Sequence, residues 1–292
     1  MKQVFLVILL AFGFVAGAQN VTVHKPKKQK PATTHVAPKK HKSQSKPTKG
    51  GTVKRVATKA SYSNGTLTVN GIKYNMVWVN GGTFRMGATS EQGNDAYSDE
   101  KPVHSVTLSS YYIGKTEVTQ ALWKAVMGSN PSCFTGNNLP VECVSWNDCQ
   151  EFIRKLNALT GQNFRLPTEA EWEFACRGGN NSRGYKYSGS NYIDNVAWYD
   201  GNSGKKTHPV ATKLPNELGI YDMSGNVMEW CSDWYGDYSS GAQTNPKGPY
   251  DGSCRVSRGG GWISNARNCR SSRRSNNSPD QPFNDIGLRL SL

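Results

Sequence analysis

The chain has 292 residues, with 36% hydrophobic and 10% aromatic side chains, which is enough apolar material for a packed core and excludes a wholly disordered protein. No apolar run of membrane-spanning length follows the first twenty positions, which excludes a multi-span membrane protein. The net charge of +14 is localised: residues 21–60 carry twelve Lys or Arg and no acid, and without these and Lys2 the remaining charge is close to zero. The basicity therefore belongs to a tail, and no specific nucleic-acid partner is expected.

Residues 1–18 have the form of a secretory signal, with Lys2, the apolar stretch Val4 to Phe14, and Ala16-Gly17-Ala18 before Gln19. This predicts export to the periplasm or the extracellular space, where disulfides are permissible. Residues 19–60, rich in Lys, Pro, Thr and Ser, cannot bury enough surface to offset their ordering entropy. They read as a disordered basic linker, suited to anionic lipid or acidic glycan or serving as a plain spacer. The ordered domain is expected over 61–292.

Within it, Asn70-Gly71 between alternating apolar residues predicts a hairpin. Residues 104–119 give further strands. Thr119 caps a short helix that Gly128 ends. Ser145, with Asp148 three residues on, starts a second helix with Phe152, Ile153, Leu156 and Leu159 as its apolar face and Gly161 as its stop. Thr168 and Glu171 form a capping box for a third, running to Gly178-Gly179. The same cap accounts for Glu169 and Glu171 in the first turn, where the helix dipole favours acids, without a catalytic role. After residue 180 only short strands are legible, such as 254–260 and 286–292. The fold class is α+β: a few helices on a small irregular antiparallel sheet with long loops.

Seven cysteines leave at least one unpaired or joined to another chain. Cys133 and Cys143 bracket one loop and form a plausible local pair. No Cys-x-x-Cys occurs, and only His104 and His208 lie outside the tail, so a zinc site is not expected. The turn around Asp222, Gly225, Asn226 and Glu229 combines hard oxygen ligands with a glycine, a composition that calcium uses and that hydrogen-bonded turns also share.

Five segments occur in order: GGTFRMG (81–87), KTEVTQALWKAVMG (115–128), FRLPTEAEWEFACRGG (164–179), LGIYDMSGNVMEWCSDWY (218–235) and RGGGWISNARNCRSSRR (258–274), with IGLRL (286–290) at the end. Together they resemble the formylglycine-generating enzymes, or sulfatase-modifying factors, over roughly residues 75–292. The resemblance implies a loop-rich variant of the C-type lectin fold. It implies a structural calcium on the main-chain oxygens of Asp222, Gly225 and Val227 and the carboxylate of Glu229. A second calcium would start at Asn195-Val196, although its downstream acid is not visible.

The resemblance also implies an oxidase that holds copper(I) between two cysteines five residues apart and converts the Cys of a Cys-x-Pro-x-Arg sulfatase motif to formylglycine. Here the second cysteine falls on Cys269, the first on Ser264, an upstream Ser on Gly261 and a His on Asn265. One thiolate and a neutral hydroxyl are a poor copper(I) seat, so copper is not expected and Cys269 is a degenerate catalytic position. A disulfide from Cys269 to Cys254 is the preferred alternative. The iron-dependent relatives need a three-His set that the ordered part lacks.

Arg267, Arg270 and Arg273, with Asn265 and Asn268, are expected to present planar guanidinium and amide groups to a ligand. The same layout resembles the variable ends of diversity-generating-retroelement target proteins, which share this fold. The leading expectation is an exported, non-catalytic binding or scaffold module at the cell envelope, with a protein, glycan or anionic ligand. The alternative is the copper-dependent oxidase.

Overall fold

The structure, a computed structural model, describes residues 58–292. The signal segment and nearly all of the linker lie outside the described residues. Eleven strands run in chain order: β1 (Ala60–Ser63), β2 (Thr66–Val69), β3 (Ile72–Val79), β4 (Gly82–Met86), β5 (His104–Leu108), β6 (Tyr111–Gly114), β7 (Met228–Trp234), β8 (Gln243–Thr244), β9 (Arg255–Arg258), β10 (Arg274–Asn277) and β11 (Ile286–Gly287). The helices are α1 (Gln120–Met127), α2 (Trp146–Thr160), α3 (Glu169–Cys176) and α4 (Ile193–Val196). Three small sheets result, ordered β1-β2-β3-β6, β10-β9-β7-β11 and β4-β5-β8.

The turn chemistry is local and legible. Asn70 and Gly71 both take positive φ, 49° and 84°, and join β2 to β3 with Val69 opposite Ile72. Asn64-Gly65 makes the same turn one hairpin earlier, between β1 and β2. Thr119, Ser145 and Thr168 each accept a backbone N–H three residues on, and the latter two close full capping boxes with Asp148 and Glu171. Gly128 and Gly161 end α1 and α2 in the left-handed region.

Two expectations at helix edges are corrected. Leu159 is exposed, because the buried face of α2 ends at Leu156. Helix α3 stops at Cys176, where Arg177 turns its guanidinium back onto Glu173 and Glu91.

Helices α1 and α2 pack against the first sheet in a cluster that includes Leu67, Leu122, Trp123, Phe152, Phe164 and Trp230. A second cluster gathers around α3 and includes Val106, Ile113, Trp172, Phe174 and Val256. The last residues run between elements: Val118 donates to Leu288 O, Gly114 to Leu290 O, and Ser291 and Arg165 exchange N–H···O bonds. Residues 286–291 are all buried.

Buried charge is the other organising element. Arg258 pairs with Glu173 and, at 3.2 Å, with Glu169. Arg274 forks onto Glu169 at 2.6 and 2.8 Å. Arg289 grips Glu229 at 2.6 Å. Thus α3 carries acids that meet arginines from the far end of the chain. In a low-dielectric interior each such charge needs its partner.

Candidate functional site

Strand β9 runs into Gly259 and Gly260, whose positive φ (94° and 68°) turns the chain so that it passes beneath the 222–227 loop. Gly225 N donates to Gly259 O at 2.9 Å, and Trp262 N to Asn226 O at 2.7 Å. A single turn, Ala266–Cys269, follows, capped by Asn265, whose Oδ1 accepts from Asn268 N.

The two positions of the expected thiol pair are both engaged otherwise. Ser264 Oγ accepts from Gly261 N at 3.0 Å. Cys269 is fully buried, packs with Tyr187 and Val196, and its thiol points to Asn265 O at 3.6 Å. Burial, with the Asp200 charge, pushes this thiol up to about 12, so it is protonated at neutral pH. A Cβ at Gly260 would lie 2.8 Å from its sulfur, so the glycine backs directly onto it.

Cys269 is a thiol, not half of a disulfide with Cys254, which contacts Ser253 instead. The expected bridge is corrected on this point, because Cys269 faces the interior behind the turn. Among the described residues no two cysteines are bonded, although the sulfurs of Cys133 and Cys143 lie 2.7 Å apart.

The two histidines are also spent locally. His104 Nδ1 contacts Pro102 O at 3.0 Å, and His208 Nε2 contacts Ser203 O at 2.7 Å while its ring stacks on Trp198.

The expected ligand-reading residues divide into two groups. Arg267 and Arg273 converge on one ring, Tyr97, with guanidinium carbons 3.7 and 4.5 Å from its centroid. Asn268 Oδ1 accepts from the Tyr97 hydroxyl and from Arg273 Nε, both at 3.3 Å. Arg267 uses only Nε, on Asp95 O, which leaves both its terminal nitrogens without a partner among the described residues. Asn265 is exposed, but its carbonyl oxygen is committed to the cap.

Arg270 does not belong to this surface. It is fully buried, and its fork meets Glu100 at 2.5 and 2.8 Å. Although burial pushes the Glu100 carboxyl up, its bonds to Arg270 and Ser272 pull it below the ordinary value. Tyr97, the platform of the patch, was not singled out from the sequence. Its only signal is an aromatic set among Asp95, Asp99 and Glu100 in a loop of otherwise small polar residues.

The expected calcium loop has an unusual backbone: Asp222, Gly225 and Asn226 all take positive φ. None of the carbonyls of Asp222, Gly225 and Val227 accepts a loop or side-chain hydrogen bond among the described residues. Glu117, Asp222 and Glu229 are buried here with one guanidinium, Arg289, paired to Glu229. Burial raises Glu117 well above the carboxylate range, with Asp222 and Glu229 adding to it, and raises Asp222 to about 6. Spare carbonyls and surplus negative charge fit a hard divalent cation. The Glu229 carboxylate also accepts from Trp172 Nε1 at 2.7 Å, so it would have to share its oxygens.

At the second expected position the donors do not fit. Asn195 O accepts from Leu214 N at 2.9 Å, and the Lys213 ammonium sits 2.6 Å from Asp194 O, so a positive charge already stands there.

Residues 67–292 match the sulfatase-modifying factor enzyme 1-like domain family. A protein of Paenibacillus barcinonensis named chaperone protein LppX is 38% identical over 70% of this chain and 83% of its own length. The formylglycine-generating enzyme of Streptomyces coelicolor is 31% identical over 72% of this chain and 86% of its own. Among solved structures, Treponema denticola variable protein 1 superposes with a TM-score of 0.70 at 37% identity, covering 77% of this chain and 97% of that one. PvdO from Pseudomonas aeruginosa gives 0.61 at 27%, covering 74% and 93%. With its few helices, its three short sheets and these relatives, the chain belongs to the sulfatase-modifying factor family, built on the loop-rich C-type-lectin-like fold.

Proposed function

We propose that this chain is a non-catalytic binding module of the sulfatase-modifying factor family, exported and working at the cell envelope. The observation that carries the reading is the Ser264–Cys269 pair. One position offers a neutral hydroxyl already holding Gly261 N, and the other a sealed, protonated thiol. Copper(I) needs soft, deprotonated, reachable sulfur, and neither position supplies it. The ligand surface is the Tyr97, Arg267, Asn268 and Arg273 patch. The free terminal nitrogens of Arg267 suit a carboxylate, phosphate or acidic glycan, while Arg273 already spends Nη1 on Asp99 at 3.2 Å. The Paenibacillus relative's name, a chaperone, supports a role in handling another molecule rather than in turning one over. A calcium ion on the carbonyls of Asp222, Gly225 and Val227 with Glu229 would stiffen the loop beneath the patch.

The test has three arms. A Cys-x-Pro-x-Arg peptide, incubated with the protein, copper and oxygen, should keep its thiol by mass spectrometry. Loss of the thiol would establish the oxidase reading that the Streptomyces relative favours. Envelope fractions and acidic glycan arrays should be retained by the wild type and released by Arg267→Ala/Arg273→Ala. Equal retention would remove the patch from the account. For calcium, chelation should lower the thermal midpoint and added Ca2+ should restore it. An unchanged midpoint would remove the ion.

A further inference from the structure

A second cluster of metal-ligating side chains lies away from this surface. After α1 the chain passes through Ser132, Cys133 and Phe134, then returns through Glu142 and Cys143 before α2. The two passes are clamped together. Ser132 Oγ accepts from Glu142 N at 3.2 Å, and Cys133 N and Phe134 N donate to the two Glu142 carboxylate oxygens at 3.1 and 2.9 Å. The carboxylate is thereby held in one orientation beside both sulfurs. One ligand atom from each of Cys133, Glu142 and Cys143 lies within 4.8 Å of the others.

The charge balance at this spot is incomplete. Glu142 is fully buried, yet no Lys or Arg among the described residues pairs with it. By contrast, Glu100, Glu169, Glu173 and Glu229, buried to a similar degree, each hold an arginine. Apart from Glu117 at the expected calcium loop, Glu142 is the buried glutamate among the described residues without an arginine, and a carboxylate held by two backbone N–H groups and the Cys143 thiol still lacks a cation. Cys133 is exposed and opens onto a cavity of about 470 Å3 also lined by Phe134, Lys206, Thr207 and His208. The Thr207 hydroxyl is buried there without a partner.

We propose that, in the reduced protein, Cys133, Glu142 and Cys143 form a site for a thiophilic divalent cation of the zinc type. Two sulfurs and one carboxylate oxygen are a zinc donor set, and the cavity leaves a fourth position for water. Loading the ion displaces both thiol protons, so the cation meets two thiolates and supplies the positive charge that Glu142 lacks. Tetrahedral ligation needs the sulfurs to part by about 1 Å from their present separation, which rotation of the exposed Cys133 side chain provides. The site uses other residues and other chemistry than the binding reading, and it needs both thiols reduced in the compartment where that reading places the protein.

The test is metal uptake by the whole protein, purified anaerobically without chelator. Zinc should be found at one ion per chain, and Co2+ added to the metal-free protein should give sulfur-to-metal charge-transfer absorption. Cys133→Ser and Cys143→Ser should each weaken binding by about 100-fold or more, and Glu142→Gln by about 10-fold or more, with Cys254→Ser unchanged. Thermal unfolding of the metal-free variants separates loss of the site from loss of the fold. No stoichiometric uptake by the reduced wild type, or wild-type affinity in either serine variant, would overturn the proposal. So would a Cys133–Cys143 disulfide in protein isolated without oxidant.

Discussion

Arg270 offers the sharpest test of how charge is used in this domain. By its place in an arginine-rich segment it reads as a ligand contact, whereas the structure makes it the sole guanidinium of a fully buried Glu100. Arg270→Met keeps most of the side chain's volume and leaves that carboxylate without its cation. Breaking a buried pair from one side costs about 3–5 kcal/mol. That is a large share of the roughly 5–15 kcal/mol that holds a domain folded. Urea unfolding followed by tryptophan fluorescence reads it directly: with a slope of about 2–3 kcal/mol per molar, the midpoint should fall by about 1–2 M. Glu100→Gln in the same chain removes the stranded charge while keeping an acceptor for Tyr97 N, and should recover more than half of the loss. Arg267→Ala, on the exposed patch three residues earlier, should change stability by less than about 0.5 kcal/mol. A loss below about 1 kcal/mol in Arg270→Met, or a double variant no more stable than the single one, would refute the reasoning.

Three further outcomes follow from the buried groups. Burial, with Glu169 beside it, raises the Asp233 carboxyl to about 7, so the folded state holds this proton more tightly than the unfolded chain does. Its contribution is complete below about pH 4 and is lost as pH rises through 7, up to about 4 kcal/mol; stability of Asp233→Asn should fall less over that window, and parallel profiles would remove the claim. Alkylation of the native protein at pH 8 should modify Cys133 and spare Cys269, whose thiol is both sealed and pushed up to about 12, until denaturant is added; early loss of the Cys269 thiol by peptide mapping would contradict its burial. Gly260→Ala puts a methyl 2.8 Å from the Cys269 sulfur at a left-handed φ and should cost about 2–4 kcal/mol, against about 1 for Gly204→Ala, where φ is similar but the space is open; equal melting temperatures would show that the turn can yield.

The helices and the first hairpin were legible because their signals are local. Thr119, Ser145 and Thr168 cap within three residues, and Asn70-Gly71 turns within two. Family membership was legible because whole segments carry it. What stayed hidden was distant pairing. Arginine at 267, 270, 273 and 274 looks alike in sequence, yet 270 and 274 enter the core because Glu100 and Glu169, more than a hundred residues away, are there to receive them. Tyr97 was hidden for the same reason: the guanidinium groups around its ring come from the other end of the chain. The Cys254–Cys269 expectation failed because spacing says nothing of which way a side chain faces. Spacing placed Cys133 and Cys143 around one loop, but Glu142 was not singled out, because its burial without an arginine is visible only in the fold.

The placement of residues 286–291 bears on how this domain is made. They occupy the middle of the structure, where Arg289 neutralises Glu229 and Leu288 and Leu290 join the first cluster. A chain growing from its N-terminus, or threaded in that direction through a pore, therefore lacks its keystone until this stretch emerges. Everything before it must wait in an open state, with the Glu229 charge unanswered. Substituting Arg289 or Leu288 should therefore disturb elements as far apart in the chain as α1 and β7.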